Sequence, residues 1–286
     1  MKSDKAKFET FRKLHDGFLV LPGTTDLLSA LMLNACGYPA VATTSVGLGY
    51  AVGCPQSEAI SKELMLEIVG NICRAVSVPV ELDFESGYSD TAEGVEESVR
   101  EVIDLGVVAV RLEDSIGIPG KGMRPPEEHA ERIRAARRAG DKAGVPLFIT
   151  GRTDPFWNED GATLEAKIQE SITRGNIYLD AGADAMFISG NKVMSKETIG
   201  ALVHGLKGQF ATCYRAGGPS IRELRELGVH RLTMGSLLAC SQLGYMEKAL
   251  SQVLHNDDPS LLEQFAIPAR RANDLVTGYW ANRNQA

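Results

Sequence analysis

The sequence predicts an α/β fold, a (β/α)8 TIM barrel with a C-terminal helical extension, and three observations support this. Short β-rich runs alternate with longer amphipathic segments from about residue 18 to about residue 254. Eight such units can be counted, which favours a closed parallel barrel over an open doubly wound sheet. The length of 286 residues suits one barrel domain, and no linker or low-complexity segment divides it.

The predicted strands are rich in β-branched and apolar residues. They cover residues 18–21, 40–44, 78–83, 107–113, 147–152, 185–189, 209–212 and 229–234. Amphipathic helices are predicted between them at 26–36, 61–76, 91–105, 125–139, 163–181 and 219–227. Gly37, Gly106, Gly182 and Gly228 follow four of these helices as C-terminal caps.

Helical segments are also predicted outside the strand–helix units. Residues 4–15 precede the first strand and are expected to close the bottom of the barrel, and residues 235–254 form one long helix after the last strand. Residues 257–286 are a helical tail of the single domain 1–286, and their apolar side chains are expected to pack on a partner subunit. Packing of the tail on the chain's own outer helices is the alternative.

Charge and composition exclude several classes of function. The net charge of −7 argues against a nucleic-acid partner. The basic stretch with Arg132, Arg134, Arg137 and Arg138 follows acidic residues at helical spacing, and we interpret it as a solvated helix face. Five scattered cysteines without a Cys-x-x-Cys pair argue against a zinc site or a disulfide framework.

No run of about 18 apolar residues predicts a membrane span. The first residues lack the apolar core of a signal peptide. We therefore expect a cytoplasmic protein that does not bind a membrane.

Polar residues follow four successive predicted strands. These segments are Thr43-Thr44-Ser45, Asp83-Phe84-Glu85, Glu113-Asp114-Ser115 and Arg152-Thr153-Asp154. Because active sites of such barrels lie at the C-terminal ends of the strands, we expect the four segments to meet at one mouth.

Three of these acids form a candidate metal site. Strand alternation directs Glu81, Asp83 and Glu85 to one side of the third strand. Together with Glu113, Asp83 and Glu85 would make an all-oxygen cluster that suits Mg²⁺, with Mn²⁺ as a second possibility. Helix capping or surface pairing of these carboxylates is the alternative.

Two further segments are candidates for substrate binding. The planar fork of Arg152 can hold a carboxylate by two hydrogen bonds, and a structural salt bridge to Glu113 or Asp154 is the alternative. The glycine-rich segment from Ser45 to Gly49 lets backbone N–H groups approach a ligand oxygen, although such segments are often simple turns.

The motifs of this sequence, in their order along the chain, resemble those of the isocitrate lyase and phosphoenolpyruvate mutase superfamily. The resemblance extends from about residue 18 to about residue 240. The residues that carry it are Leu21-Pro22-Gly23 with Asp26, Thr43 to Leu48, Asp83 to Tyr88, Leu112 to Ser115, Gly151 to Asp154, and Ala181 to Ala185.

The resemblance implies that Asp83 holds Mg²⁺ directly, whereas Glu85 and Glu113 hold it through waters, and that a 2-oxo acid chelates the metal. It also implies homotetramers formed through C-terminal helices. The implied substrate-binding residues are Thr44, Ser45, Val46, Gly47, Asp83 and Arg152, and the catalytic candidates are Arg152 and Glu113. Lys121, a cation near the mouth, is a third catalytic candidate, and a solvated loop lysine is the alternative for it.

The sequence also departs from this superfamily. Its lyases carry a Cys and a His in a gating loop after the fourth strand, and residues 115–125 here are shorter and contain neither. Lys121 retains a cation in this loop, and Gln56 stands where many relatives have Asp. The sixth and seventh strands end in Phe187-Ile-Ser-Gly and Ala211-Thr-Cys-Tyr instead of the family's polar residues.

We therefore expect a metal-dependent carbon–carbon lyase or decarboxylase of the short-loop branch, similar to oxaloacetate decarboxylases. It would act on a small 2-oxo acid through a pyruvate-enolate-type intermediate. One alternative is a phosphonopyruvate-type C–P bond mutase or hydrolase, against which Gln56 and the short loop count. The other is a non-catalytic protein that binds a metal and an oxo acid.

Overall fold

A computed structural model describes residues 2–54, 59–116, 122–158, 160–190 and 193–283, with the backbone alone for residues 2, 3 and 281–283. Its strands are β1 (Leu19–Leu21), β2 (Gly23–Thr24), β3 (Val41–Thr43), β4 (Val80–Asp83), β5 (Ala109–Glu113), β6 (Phe148–Thr153), β7 (Ala185–Ile188), β8 (Gln209–Cys213) and β9 (Arg231–Thr233). All the pairings are parallel, in the order β1-β9-β8-β7-β6-β5-β4-β3-β2.

The first barrel strand is divided into two short pieces. β1 pairs with β9, and β2 pairs with β3. Pro22 lies between the pieces and has no N–H to donate to a sheet ladder. The two pieces thus bring the ends of the sheet together in a nearly closed barrel, and the eight predicted strands are confirmed.

Helices surround the barrel. They are α1 (Lys2–Leu14), α2 (Leu27–Ala35), α3 (Ser45–Ala51), α4 (Lys62–Ala75), α5 (Ala92–Asp104), α6 (Pro126–Ala143), α7 (Leu164–Asp180), α8 (Lys196–Gly205), α9 (Ile221–Glu226), α10 (Leu237–Asn256), α11 (Ser260–Phe265) and α12 (Ala269–Arg283). The six helices predicted between strands are confirmed, and Ser61, Thr91 and Thr163 cap three of them through their side chains. In the described ranges, none of the helices is long and apolar enough to cross a membrane.

Two helices were not predicted. α3 contains two glycines, which disfavour an isolated helix, so tertiary contacts have to stabilise it. α8 begins after Ser195, whose hydroxyl accepts a hydrogen bond from the Thr198 N–H, and Glu197 lies in its first turn. Both features of α8 are helix-start signals that are readable in the sequence.

Helix α1 closes the bottom of the barrel, as predicted. Phe8 and Phe11 pack against the apolar residues at the N-terminal ends of the strands. The Phe11 and Phe148 rings meet edge to face, with centroids 5.3 Å apart. This apolar layer separates the barrel interior from solvent at the end opposite the strand C-termini.

The barrel interior above this layer is charged. Arg231 Nη1 lies 2.6 Å from Glu81 Oε1, and both side chains are fully buried. Glu81 Oε1 also accepts a hydrogen bond from Thr150 Oγ1 at 3.1 Å. Burial lowers the pKa of nearby His15 to about 4, with a contribution from Arg231, so His15 is neutral at pH 7.

The basic stretch of α6 is a solvated face only in part: Arg134 and Arg138 are solvated and pair with Glu131, whereas the other two arginines are not. Arg132 is buried and donates hydrogen bonds to the backbone carbonyls of Ser86 and Ser89. Arg137 is half-buried and pairs with Asp184 at 2.6 Å. Helical spacing shows which residues share a face, but it does not show that loop carbonyls are available to satisfy arginines on the buried side.

The C-terminal helices have a covered part and an exposed part. α12 contacts α2 and α4 of the same chain, and the buried Tyr279 hydroxyl donates to Asn71 Oδ1 at 2.9 Å. This part of the tail therefore packs in cis. α10 buries Ala239 and Ala249 alone. Exposed apolar side chains on α10, on α11, on the segment after α11 and on α12 are Leu237, Leu243, Met246, Leu250, Val253, Leu254, Leu262, Phe265, Ile267, Val276 and Trp280.

We expect Glu81→Gln to lower the free energy of unfolding by about 3 kcal/mol, because it leaves the Arg231 charge uncompensated in the barrel interior. Equilibrium urea unfolding measures this change. Asp180→Asn is the control, because it breaks the exposed pair with Lys207 and should cost less than about 1 kcal/mol. Equal, small losses in both variants would contradict a structural role for the interior pair.

Candidate active site

A cavity of about 510 Å³ opens at the C-terminal ends of the strands, a size that suits a small organic acid. The cavity is lined by several of the predicted site residues and by residues that follow the later strands. These include Thr44, Ser45, Val46, Asp83, Arg111, Arg152, Trp157, Phe187, Ser189, Cys213, Tyr214, Arg215 and Thr233. The strand-end segments therefore meet at one mouth, as the barrel geometry requires.

Asp83 is held at the end of β4 by a two-point ion pair with Arg111. Asp83 Oδ1 accepts a hydrogen bond from Arg111 Nε at 3.0 Å, and Oδ2 lies 2.6 Å from Arg111 Nη2. The backbone N–H and the hydroxyl of Ser45 also donate to Oδ2, at 3.1 and 3.2 Å. These contacts fix the carboxylate beside the start of α3.

Asp83 is ionised although it is buried. Burial alone would raise its pKa, but the charge and hydrogen bonds of Arg111 outweigh that effect and lower the pKa below its usual value. Arg152 and the Ser45 N–H act in the same direction. The site therefore presents a fixed negative charge at neutral pH.

A second cluster of charges surrounds Arg152. Arg152 Nη1 lies 2.6 Å from Glu113 Oε2. Its Nε and Nη2 donate to the two oxygens of Asp154 at 3.1 and 2.8 Å, and Ser115 Oγ donates to Asp154 Oδ2 at 2.7 Å. Both salt bridges that were considered as the structural alternative are thus present, and Arg152 also lines the cavity.

Glu113 is strongly perturbed by this environment. Burial raises its pKa well above the usual range, and the negative charges of Asp154 and Asp83 add to the effect, while Arg152 opposes it. Glu113 therefore retains a proton more readily than an ordinary glutamate does. This property is characteristic of carboxyl groups that act as acids or bases in enzymes.

The third predicted metal ligand, Glu85, is buried in the loop after β4. Leu82 and Phe84 pack in the outer core, as strand alternation predicted. Glu85 itself has φ 51°, in the left-handed region, and its backbone carbonyl accepts a hydrogen bond from the Glu113 N–H at 2.8 Å. The simple alternation thus ends at Glu85, and the hydrogen bonds from Arg132 to the carbonyls of Ser86 and Ser89 anchor this loop.

The glycine-rich segment from Ser45 to Gly49 forms the beginning of α3. Thr44 is its N-cap, and Ser45 and Val46 line the cavity. Gly47 is buried, and a Cβ there would approach the Thr44 and Thr25 side chains to 2.6 and 2.7 Å. Close packing is therefore sufficient reason for glycine at residue 47.

Sequence reasoning missed several residues of the site. Arg111 occupies the same side of β5 as Glu113, a signal that strand alternation could have revealed. The remaining wall comes from segments far apart in the sequence, and Trp157 and Arg215 carried no local motif. Lys121 and Gln56 lie outside the described residues.

These features define an α/β barrel with a cavity at the strand ends in which charged side chains meet an apolar lining, the arrangement typical of barrel enzymes. Residues 11–254 match the model of the phosphoenolpyruvate phosphomutase family. The chain belongs to this family, within the isocitrate lyase and phosphoenolpyruvate mutase superfamily of lyases and mutases.

Individual relatives carry different names. The 2-methylisocitrate lyase of Halalkalibacterium halodurans is 27% identical over 194 residues, which cover 65% of this chain and 61% of that protein. The petal death protein of Dianthus caryophyllus is 30% identical over 227 residues, which cover 75% of this chain and 67% of that protein. A solved structure from Burkholderia cenocepacia J2315, described as a candidate lyase/mutase, superposes with a TM-score of 0.86 at 28% identity, over 96% of this chain and 98% of that one. The chain thus spans about three fifths of the methylisocitrate lyase.

We expect the metal-free protein to keep a proton on Glu113 at pH values where ordinary carboxyl groups are ionised. Because the pKa of Glu113 is raised, a protonated-carboxyl band in infrared spectra should persist into this range and disappear as the pH rises further. Glu113→Gln should remove the band.

Asp114→Asn is the matched control in the same strand end. Burial raises the pKa of Asp114 to about 6, so this variant should delete a component that titrates at lower pH and leave the higher one. A high-pH component that survives Glu113→Gln would contradict the assignment.

Proposed function

We propose that the protein is a Mg²⁺-dependent lyase or decarboxylase that acts on a small 2-oxo acid through a pyruvate-enolate-type intermediate. The observation that carries this proposal is the meeting of Asp83, Ser45, Arg152 and Glu113 in one cluster of charges at the barrel mouth. Mn²⁺ is the alternative ion, because it accepts the same oxygen donors.

The charges at the mouth favour a bound cation. The carboxyl groups of Asp83, Glu113 and Asp154 share the cluster with the guanidinium groups of Arg111 and Arg152. With all three carboxyl groups ionised, negative charge exceeds positive charge. Burial is the main cause of the raised pKa of Glu113, and the charges of Asp154 and Asp83 add to it. A divalent cation would offset the excess of negative charge.

The donor set also fits the way in which Mg²⁺ binds to proteins. Mg²⁺ keeps several waters and typically takes only one or two protein carboxylates. In the described part of the chain, no three acidic, His or Cys side chains converge closely enough to hold a metal by themselves. This is compatible with a site in which Asp83 is the direct ligand and Glu85 and Glu113 act through water.

When bound, the metal would act as a Lewis acid toward the 2-oxo group. Ser45, with Thr44 and the backbone of Val46 and Gly47, would bind the substrate carboxylate at the start of α3. Arg152 would donate its remaining N–H groups to the substrate oxygen that gains negative charge. Glu113, next to Arg152, is the candidate for proton transfer, and a catalytic role for Lys121 stays a prediction.

We expect the protein with Mg²⁺ to consume at least one member of a panel of 2-oxo acids, as followed by NMR. A chelator should abolish turnover, and Mg²⁺ or Mn²⁺ should restore it, because both ions suit oxygen ligands. Consumption of phosphonopyruvate alone would favour the C–P mutase or hydrolase. Binding without turnover of any compound, methylisocitrate included, would favour the non-catalytic alternative.

The substitution Asp83→Asn tests the metal ligand in the same assay. It keeps the size of the side chain but removes its charge, and we expect turnover to fall by about a hundredfold or more. Asp83 is buried against Arg111, so the variant will also be less stable and is compared below its melting temperature. Asp180→Asn on the exposed surface is the control, and a folded Asp83→Asn protein with wild-type turnover would refute the assignment.

We further propose a homo-oligomer, a tetramer, assembled through the C-terminal helices. The exposed apolar row on α10 and α11 supports this, because burying each large side chain contributes roughly 1.5 to 3 kcal/mol. The cytoplasmic location stays a prediction.

Leu250→Glu on the exposed row of α10 should reduce the oligomer measured by light scattering, because it places a charge in the interface. Lys248→Glu on the same helix is exposed as well and should leave assembly unchanged. Truncation after Asn256 should also lower the mass, but it removes α12 from α2 and α4, so the point variants decide. A monomeric intact protein would rule the proposal out.

A further inference from the structure

We propose that Arg215 binds a second carboxylate of the substrate, so that the protein selects 2-oxo acids with a distal anionic group. This inference rests on the proposed function and narrows its substrate class. It concerns the wall of the cavity formed after β6, β7 and β8, which the proposed metal site does not include.

Three arginines line the cavity, and two of them are already engaged. Arg111 makes its two-point pair with Asp83, and Arg152 is held by Asp154 and Glu113. Arg215, by contrast, forms no ion pair with any residue that the structure describes, and its Nε is a buried donor without a hydrogen-bond acceptor there. A cavity-lining cation without a carboxylate partner is a candidate for binding an anionic group of a ligand.

The guanidinium of Arg215 is oriented by an aromatic ring. Its Cζ lies 5.2 Å from the centre of the Trp157 ring. Trp157 is fixed in turn, because its Nε1 donates to Ser189 Oγ at 3.3 Å. An arginine that stacks on an aromatic face keeps its N–H groups directed outward in the guanidinium plane, where they match the two oxygens of a carboxylate.

Among the described residues, the rest of this wall offers no second cation, since Ser189, Tyr214 and Ser236 are neutral. Phe187, Met234 and Leu237 are apolar. A substrate anchored by its first carboxylate near Ser45 would find in Arg215 a cation with free donors. A distal carboxylate is therefore favoured over an apolar or neutral end group.

The test compares oxaloacetate with its uncharged 4-amide, which has the same size. With Mg²⁺ present, we expect the wild-type protein to bind oxaloacetate about 10- to 100-fold more tightly than the amide. Binding is measured as Kd by calorimetry, or as KM where turnover occurs. Arg215→Gln should abolish this preference, and Arg215→Lys should retain part of it.

Two controls separate this inference from the proposed function. Arg222→Gln changes an exposed arginine of α9 and should behave as the wild type. Oxalate has no distal group, so its Mg²⁺-dependent affinity should be equal in the wild type and in Arg215→Gln.

Failure of oxalate to bind the wild-type protein with Mg²⁺ would overturn the proposed function. If oxalate binds, the inference about Arg215 is overturned by any of three results: no preference for oxaloacetate over the amide, a preference that survives Arg215→Gln, or no binding of either compound.

Discussion

The ion pair between Asp83 and Arg111 is the interaction on which the mouth of this barrel depends. A carboxylate inside a barrel loses its hydration, and it stays ionised because a guanidinium replaces water at two points. The same device recurs along the barrel interior. Its pairs are Glu81–Arg231 and Asp83–Arg111. Each pair resists rearrangement, because moving one partner would leave a buried charge unpaired.

This interior order gives the mouth a defined chemistry. The lower pairs are balanced, whereas the uppermost cluster contains Asp154 in addition to Glu113, with Arg152 between them. Burial of Glu113, together with the negative charges of Asp154 and Asp83, raises the pKa of this carboxyl group. The fold thus holds these carboxyl groups close together before any ligand binds.

The cavity has two walls with different origins. The wall that contains Asp83 and Ser45 follows β3 and β4, where the motifs match the superfamily. The opposite wall follows β6 to β8 and contains Trp157 and Arg215, which belong to none of those motifs. Loops after barrel strands can change the substrate while the strands keep their frame, and the relatives are indeed named as both lyases and mutases.

The sequence by itself determined the strand order of the barrel, the position of α1 at its bottom, and the strand ends at which Asp83 and Glu113 lie. These features follow from local signals, namely the spacing of hydrophobic residues and the residues that form turns. Only the tertiary structure decided the partners of the charges. Which strands and loops become neighbours decides the pairing of Arg111 with Asp83, the burial of Arg132 and the lack of an ion pair at Arg215. Side-chain spacing within one segment does not contain that information. The helical tail shows the same limit. Its apolar residues predict that some surface of the tail is buried, but only the structure shows that α12 packs on α2 and α4 while α10 stays exposed.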